Sequence, residues 1–200
     1  MRDAANIMAV AALHPDYMGF IFYDQSPRFV GNYFLLPKEF PDNVMKVGVF
    51  VNETTRNIKR EAQILGLHYV QLHGNETVAQ CEELKAEGIK VIKVFSISDD
   101  FDFNVTKPYK KVADYFLFDT KGKYHGGNAV TFNWSVLNNY DQEIPFVLSG
   151  GLSPDNINEI SSLKGMNLHA IDVNSGVEIA PALKNITKLE TIIKTLNKEF

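Results

Sequence analysis

The sequence predicts an α/β protein built as a (βα)8 barrel of the TIM type, one domain over residues 1–200 with seven of its eight strands readable. Three observations predict it. Short runs of β-branched and aromatic residues recur, starting 21 to 30 residues apart, which is the pace of successive βα units. The segments between them carry apolar residues at helical spacing, so buried parallel strands alternate with crossover helices, in a doubly wound sheet or a closed barrel. No Gly-x-Gly-x-x-Gly follows a first strand, which weakens the doubly wound, dinucleotide-binding alternative.

The chain opens on a helix. Asp3 is an N-cap, and Ile7, Val10, Ala11 and Leu13 fall on roughly one face. The strands are then expected at Tyr17–Phe22, Lys46–Val51, Tyr69–Leu72, Lys90–Phe95, Tyr115–Asp119, Pro145–Ser149 and Ala170–Val173. Helices are expected at Thr55–Leu65, Glu76–Glu87, Ser153–Ser162 and Lys184–Leu196. Glu76–Glu87 is the clearest, with Val78, Cys81 and Leu84 on one side, acids in its first turn and Gly88 as its stop. Between Phe95 and Tyr115 the acidic run and Pro108 break any long helix. A barrel of this class closes with eight strands. Seven are readable and the first element is a helix, so the absent strand is expected immediately before Met1.

Composition bounds the function. With 45% hydrophobic and 22% charged residues, 200 residues are enough for a sizeable core. A net charge of −4 with interleaved signs gives no basic patch for nucleic acid, so an anionic ligand must be held locally. The single cysteine, Cys81, excludes an internal disulfide and any cysteine-held metal cluster, and it falls on a helix's apolar face. His68 and His73 are spaced poorly as metal ligands, so no metal is expected. Without a signal-peptide core or an apolar run near membrane-spanning length, the expected place is the cytoplasm, away from membranes.

In a parallel barrel, chemistry gathers at the C-terminal ends of strands. Asp119 ends an otherwise apolar strand, where low-dielectric surroundings would raise its pKa and suit it to donate a proton, or it caps the following loop. "LSGGLSPDNI" places Gly150 and Gly151 after a strand, and "DVNSGVE" repeats the idea one strand later. Glycines admit close approach of backbone N–H groups, so the tandem points to a phosphate site. Arg28, held beside Pro27 in a rim loop, can clamp a carboxylate. Asn52, Gln71, His73 and Asp172 complete the rim, and Trp134 is read as a packing residue.

Taken together, "MGFIFYDQSPRFV", "KVGVFVN", "VQLHGNE", "VIKVFSI", "LFDTKGKYHGG" with "TFNW", "VLSGGLSPDNI" and "IDVNSGVE" resemble the phosphoribosylanthranilate isomerase family, in the right order from Met18 to Glu178. The resemblance implies an Amadori rearrangement of N-(5-phosphoribosyl)anthranilate to the 1-deoxyribulose 5-phosphate ketose, with no metal or organic cofactor and a small phosphorylated substrate as the only ligand. It implies Asp119 as general acid and Arg28 on the anthranilate carboxylate. It also implies phosphate at Gly150, Gly151, Ser175 and Gly176, with Gln71, His73 and Asp172 in the substrate-binding rim. The family's base is a cysteine ending the first strand in a Lys-(Val/Ile)-Cys-Gly motif, so the resemblance puts the base outside these residues; Cys81, within a helix, does not replace it. A barrel without that strand would expose edges that invite pairing with another chain. The family's Gly-Gly-(Thr/Ser)-Gly-Lys is replaced here by Gly126-Gly127-Asn128-Ala129-Val130. The alternatives are a phosphate-binding barrel that has lost catalysis, and a related phosphate-sugar barrel such as an indole-glycerol-phosphate synthase. Lys93, inside a strand with no obvious glutamate partner, speaks against the latter.

Overall fold

A computed structural model gives the architecture and describes residues 1–120 and 133–199. The Gly126–Val130 segment lies outside the described residues. The chain divides into two compact units, Met1–Ile92 with Ile179–Lys184, and Lys93–Glu178 with Asn185–Phe200.

The first unit starts with helix α1 (Ala4–Ala11), whose N-cap Asp3 side chain accepts a hydrogen bond from the Asn6 amide at 2.8 Å. Ile7, Val10 and Ala11 form its buried side. Strands β1 (Tyr17–Ile21), β2 (Met45–Phe50) and β3 (Tyr69–Leu72) follow and pair in parallel. Helix α2 (Thr55–Leu65) crosses from β2 to β3, and α3 (Val78–Ala86) follows β3. The register sets Ile21, Val49 and Gln71 beside one another, and Phe20 beside Gly48 and Val70 on the opposite face. Phe20 packs against Phe34 and Phe40, ring centroids 5.2 and 6.2 Å away, so residues 31–44 cover that face of β1 without a helix.

Helix α3 begins later than the sequence pattern suggests. Thr77 is its N-cap in a reciprocal capping box with Gln80, which leaves Glu76 outside the helix and no acid in the first turn. Strand β4 (Lys90–Ile97) runs two residues past its expected end at Phe95.

In the second unit, β5 (Tyr115–Thr120), β6 (Phe146–Leu148) and β7 (Leu168–Ile171) pair in parallel, with a bulge between β6 and β7. Its core is aromatic. Phe95, Phe116 and Phe118 on the strands lie against one another, and Phe118 also meets Phe103, Tyr140 and Phe146, at centroid separations of 5.0 to 6.4 Å. Such edge-to-face and tilted pairs each add roughly 0.5–1.5 kcal/mol beyond area burial. The crossovers here are 3-10 helices, Phe103–Tyr109, Trp134–Asn139 and Ile157–Leu163. The expected α-helix at Ser153–Ser162 is thus shorter and tighter: the Ser153 amide donates to Asn156 Oδ1 at 2.9 Å, a local turn that competes with helix. Trp134 is buried, as a packing residue should be. The small pair β8 (Glu178–Ala180) and β9 (Leu183–Lys184) was not legible in the sequence and delays the last helix, α4, to Ile186–Glu199. Among the described residues, no helix is long and apolar enough to cross a membrane.

Candidate active site

In the first unit the polar rim follows from where β1, β2 and β3 end. Val30 N donates to Ile21 O at 3.0 Å, which brings the chain back to β1 after a turn in which Ser26 Oγ accepts from the Arg28 amide at 3.2 Å. Arg28 thereby sits, half-buried, in a loop fastened at both ends. Gln71 is buried on the same face of the sheet as Val49. Its Nε2 lies 3.2 Å from His73 Nδ1, so these two expected site residues are brought together just past the end of β3. The backbone of His73 is fixed as well, its N–H donating to Phe50 O at 2.8 Å.

In the second unit three neighbouring strand ends carry Asp119, Ser149 and Asp172. The rungs that align them are Ser149 N to Phe118 O and Asp172 N to Leu148 O, both 2.8 Å. Asp119 is 3% exposed, and strand alternation turns it away from the Phe116 and Phe118 side that packs on Tyr140. Ser149 Oγ donates to Asp172 Oδ2 at 3.0 Å, holding the Asp172 carboxylate in one orientation.

The two glycine loops follow directly. Gly150 has φ +98° and lies so near Thr120 that a Cβ there would come 2.2 Å from Thr120 Oγ1 and 2.6 Å from Thr120 N. Only glycine satisfies both demands. Gly151 O accepts from Asn156 Nδ2 at 3.0 Å, tying the first loop to the turn that opens the next helix. The second loop coils into a short 3-10 helix, Ser175–Val177. At Gly176 the demand is space: a Cβ would stand 2.0 Å from Leu152 O. The loops after β6 and β7 are therefore packed backbone to backbone, and glycine backbone at such a junction can bring N–H groups close to an anion.

Other titratable groups are accounted for elsewhere. His68 Nδ1 accepts from the Lys46 amide at 3.0 Å, and burial, with Lys46 and Lys90 nearby, holds its pKa below the usual imidazole range. Among the described residues, no group of His, Cys, Asp and Glu is arranged to hold a metal ion. Cys81 is fully buried in α3. The sequence reading missed Thr120, whose buried Oγ1 has no hydrogen-bond partner among the described residues, and Glu76. For Glu76 a signal was present: Thr77 and Gln80 have capping-box spacing, which starts the helix after it.

The description of the N-(5'-phosphoribosyl)anthranilate (PRA) isomerase family matches residues 1–195. An N-(5'-phosphoribosyl)anthranilate isomerase of Phocaeicola vulgatus is 45% identical over 200 residues, covering 100% of this chain and 96% of the relative. That of Parabacteroides distasonis is 42% identical, over 98% of this chain and 90% of the relative. Among solved structures, phosphoribosyl anthranilate isomerase from Thermotoga maritima superposes with a TM-score of 0.85 at 33% identity, covering 99% of this chain and 96% of that one. Another, phosphoribosyl anthranilate isomerase in complex with reduced 1-(o-carboxyphenylamino)-1-deoxyribulose 5-phosphate, gives 0.81 at 31% identity over 99% and 95% of the two chains. With an α/β fold of parallel-paired strands, glycine loops after β6 and β7 and similarity along nearly its whole length, the chain belongs to the PRA isomerase family.

Proposed function

We propose that the protein is a (βα)8-type barrel enzyme that isomerises N-(5'-phosphoribosyl)anthranilate to 1-(2-carboxyphenylamino)-1-deoxyribulose 5-phosphate, a cytoplasmic step of tryptophan biosynthesis. The observation that carries the reading is the match of the family over residues 1–195. Support comes also from the solved relative that holds the reduced product, a phosphorylated anthranilate derivative.

The reaction is an internal redox-neutral shift. Asp119 gives its proton to the furanose ring oxygen, the C1'–O bond breaks, and the anilino nitrogen becomes a Schiff base. Loss of the C2' proton to a base then yields an enolamine, which tautomerises to the ketose. Asp119, 3% exposed at the end of β5, is the buried carboxyl group assigned this part. Cys81, closed inside α3, is not assigned the part of base. Arg28 takes the anthranilate carboxylate, which matches a guanidinium fork. The phosphate goes to Gly150, Gly151, Ser175 and Gly176. Gln71 and His73 contact the substrate, as does Asp172, oriented by Ser149.

The test is the loss of anthranilate fluorescence when freshly generated substrate meets the protein, with inorganic phosphate as competitor. Turnover that phosphate slows supports the reading. Binding of the reduced product without turnover would instead favour a barrel that binds the ligand and does no chemistry.

A further inference from the structure

Glu76 and Asp119 are the two buried carboxylates among the described residues, and the reaction above uses only Asp119. Glu76 is 1% exposed. A carboxylate is costly to bury unless hydrogen bonds replace its water, and here they are supplied by backbone. Glu76 Oε1 accepts from the Asn52 amide at 2.8 Å and from the Gly74 amide at 3.0 Å, and Oε2 accepts from the Gly74 amide at 2.9 Å. Phe50 and Leu72 are partners in the β2–β3 ladder, and Asn52 and Gly74 each lie two residues beyond them. The carboxylate thus continues the ladder where the strands themselves have ended.

Two further features tighten the same joint. Asn52 adopts a left-handed backbone, φ 52°, and its Oδ1 accepts from the Asn75 amide at 2.7 Å. At Gly74 a Cβ would lie 2.5 Å from Asn52 Oδ1, so only glycine lets the loops meet this closely. His73 stands in the middle of the restrained stretch. The ladder bond to Phe50 O holds it on one side, the Glu76 grip on Gly74 holds it on the other, and Gln71 Nε2 holds its Nδ1. A neutral imidazole accepting at Nδ1 carries its proton on Nε2.

We propose that Glu76 is a positioning residue of the active site: its buried carboxylate locks the ends of β2 and β3 together and so fixes where His73 presents its ring to the substrate. The proposal rests on the isomerase reading for the part played by His73. Glu76→Gln removes the charge and sets an NH2 group against an amide N–H. In the variant, the Asn52 and Gly74 amides are expected to exchange hydrogen at least about tenfold faster, and the His73 ring nitrogen shifts to move.

Turnover is read in a double-mutant cycle with His73→Ala. Glu76→Gln lowers kcat/KM about tenfold when His73 is present, since small misplacements at a site are expensive, and less than about twofold when it is not. Equal losses in both backgrounds would make Glu76 merely structural and overturn the proposal, as would unchanged amide exchange. Asn52→Gly cuts only the Asn75 contact and relaxes the left-handed backbone; it gives a smaller loss with the same dependence on His73, and serves if Glu76→Gln fails to fold. A wild-type protein without turnover defeats the isomerase reading, while the exchange and nitrogen-shift measurements still decide the lock.

Discussion

Gly176→Ala puts the packed glycine loops to the sharpest test. The added Cβ would stand 2.0 Å from Leu152 O, 2.9 Å from Leu152 C and 3.0 Å from Ser153 Cβ. Carbon and carbonyl oxygen settle at about 3.3–3.6 Å even in favourable contacts, so the loops must part by roughly 1.3 Å. The obstacle is main chain on both sides, so no side-chain rotation relieves it. Overpacking of this kind costs about 1–3 kcal/mol, which for a chain of this length lowers Tm by roughly 2–4 °C per kcal/mol. The displacement falls on the segment proposed to hold phosphate, where a shift of about 1 Å can cost on the order of a hundredfold. Calorimetric titration with the reduced product analogue, and inhibition by inorganic phosphate, should both show affinity falling by about tenfold or more. Gly19→Ala is the control: its Cβ meets only a Val49 methyl at 3.8 Å, and affinity should stay within about twofold. A Gly176→Ala protein that loses Tm but keeps its affinity would refute the phosphate assignment.

Cys81→Ala should lower stability by about 1 kcal/mol, as a small truncation in the core does, and leave turnover unchanged; a large loss of turnover would mean that α3 has been misplaced. Tyr140 is held above the ordinary phenol value, pushed up to about 12, chiefly by burial. Its stabilising effect is therefore complete below pH 10 and lost as pH rises from about 10 through 12, so Tyr140→Phe should flatten alkaline unfolding over that range. The same variant strands Ile144 O and N, bonded to the Tyr140 hydroxyl at 2.6 and 3.2 Å, and should cost about 1–3 kcal/mol at neutral pH. On the surface, the Lys110 hydrogen bond lowers the Asp141 pKa. That contribution is present above the ordinary value of 3.8 and lost as pH falls through the depressed one. Lys110→Met should therefore weaken the acid dependence of chemical unfolding, and high salt should shrink the difference between the two proteins.

Much of this organisation was legible in the residues because parallel strands buried on both faces read as continuous apolar runs. "KVGVFV" and "YFLFD" need no tertiary context to be found. The glycine loops were equally open, since Gly150 with φ +98° and Gly176 against Leu152 O occupy places that few other residues could. What escaped was decided by local competition. Ser153, Asp155 and Asn156 look like a helix start, yet Asn156 binds the Ser153 amide and the Gly151 carbonyl, and regular structure waits until Ile157. Glu76 looked like a first-turn acid complementing a helix dipole; its carboxylate turns inward to accept from the Asn52 and Gly74 amides just beyond the strand ladder. Thr120 hides for a different reason, since nothing in "FDTKG" says that its hydroxyl will be buried against a glycine one strand away.

The central claim is that this protein isomerises phosphoribosylanthranilate with Asp119 as the acid. The measurement that reaches it most directly is a single-turnover fluorescence trace of freshly generated substrate with excess protein, run for the wild type and for Asp119→Asn. The expected result is a fluorescence loss well above the spontaneous rate, slowed by about 10²–10⁴-fold in the variant, with both proteins binding the reduced product alike. Equal traces for the two proteins, or a wild type that binds the analogue but leaves the substrate to decay at its spontaneous rate, would contradict it.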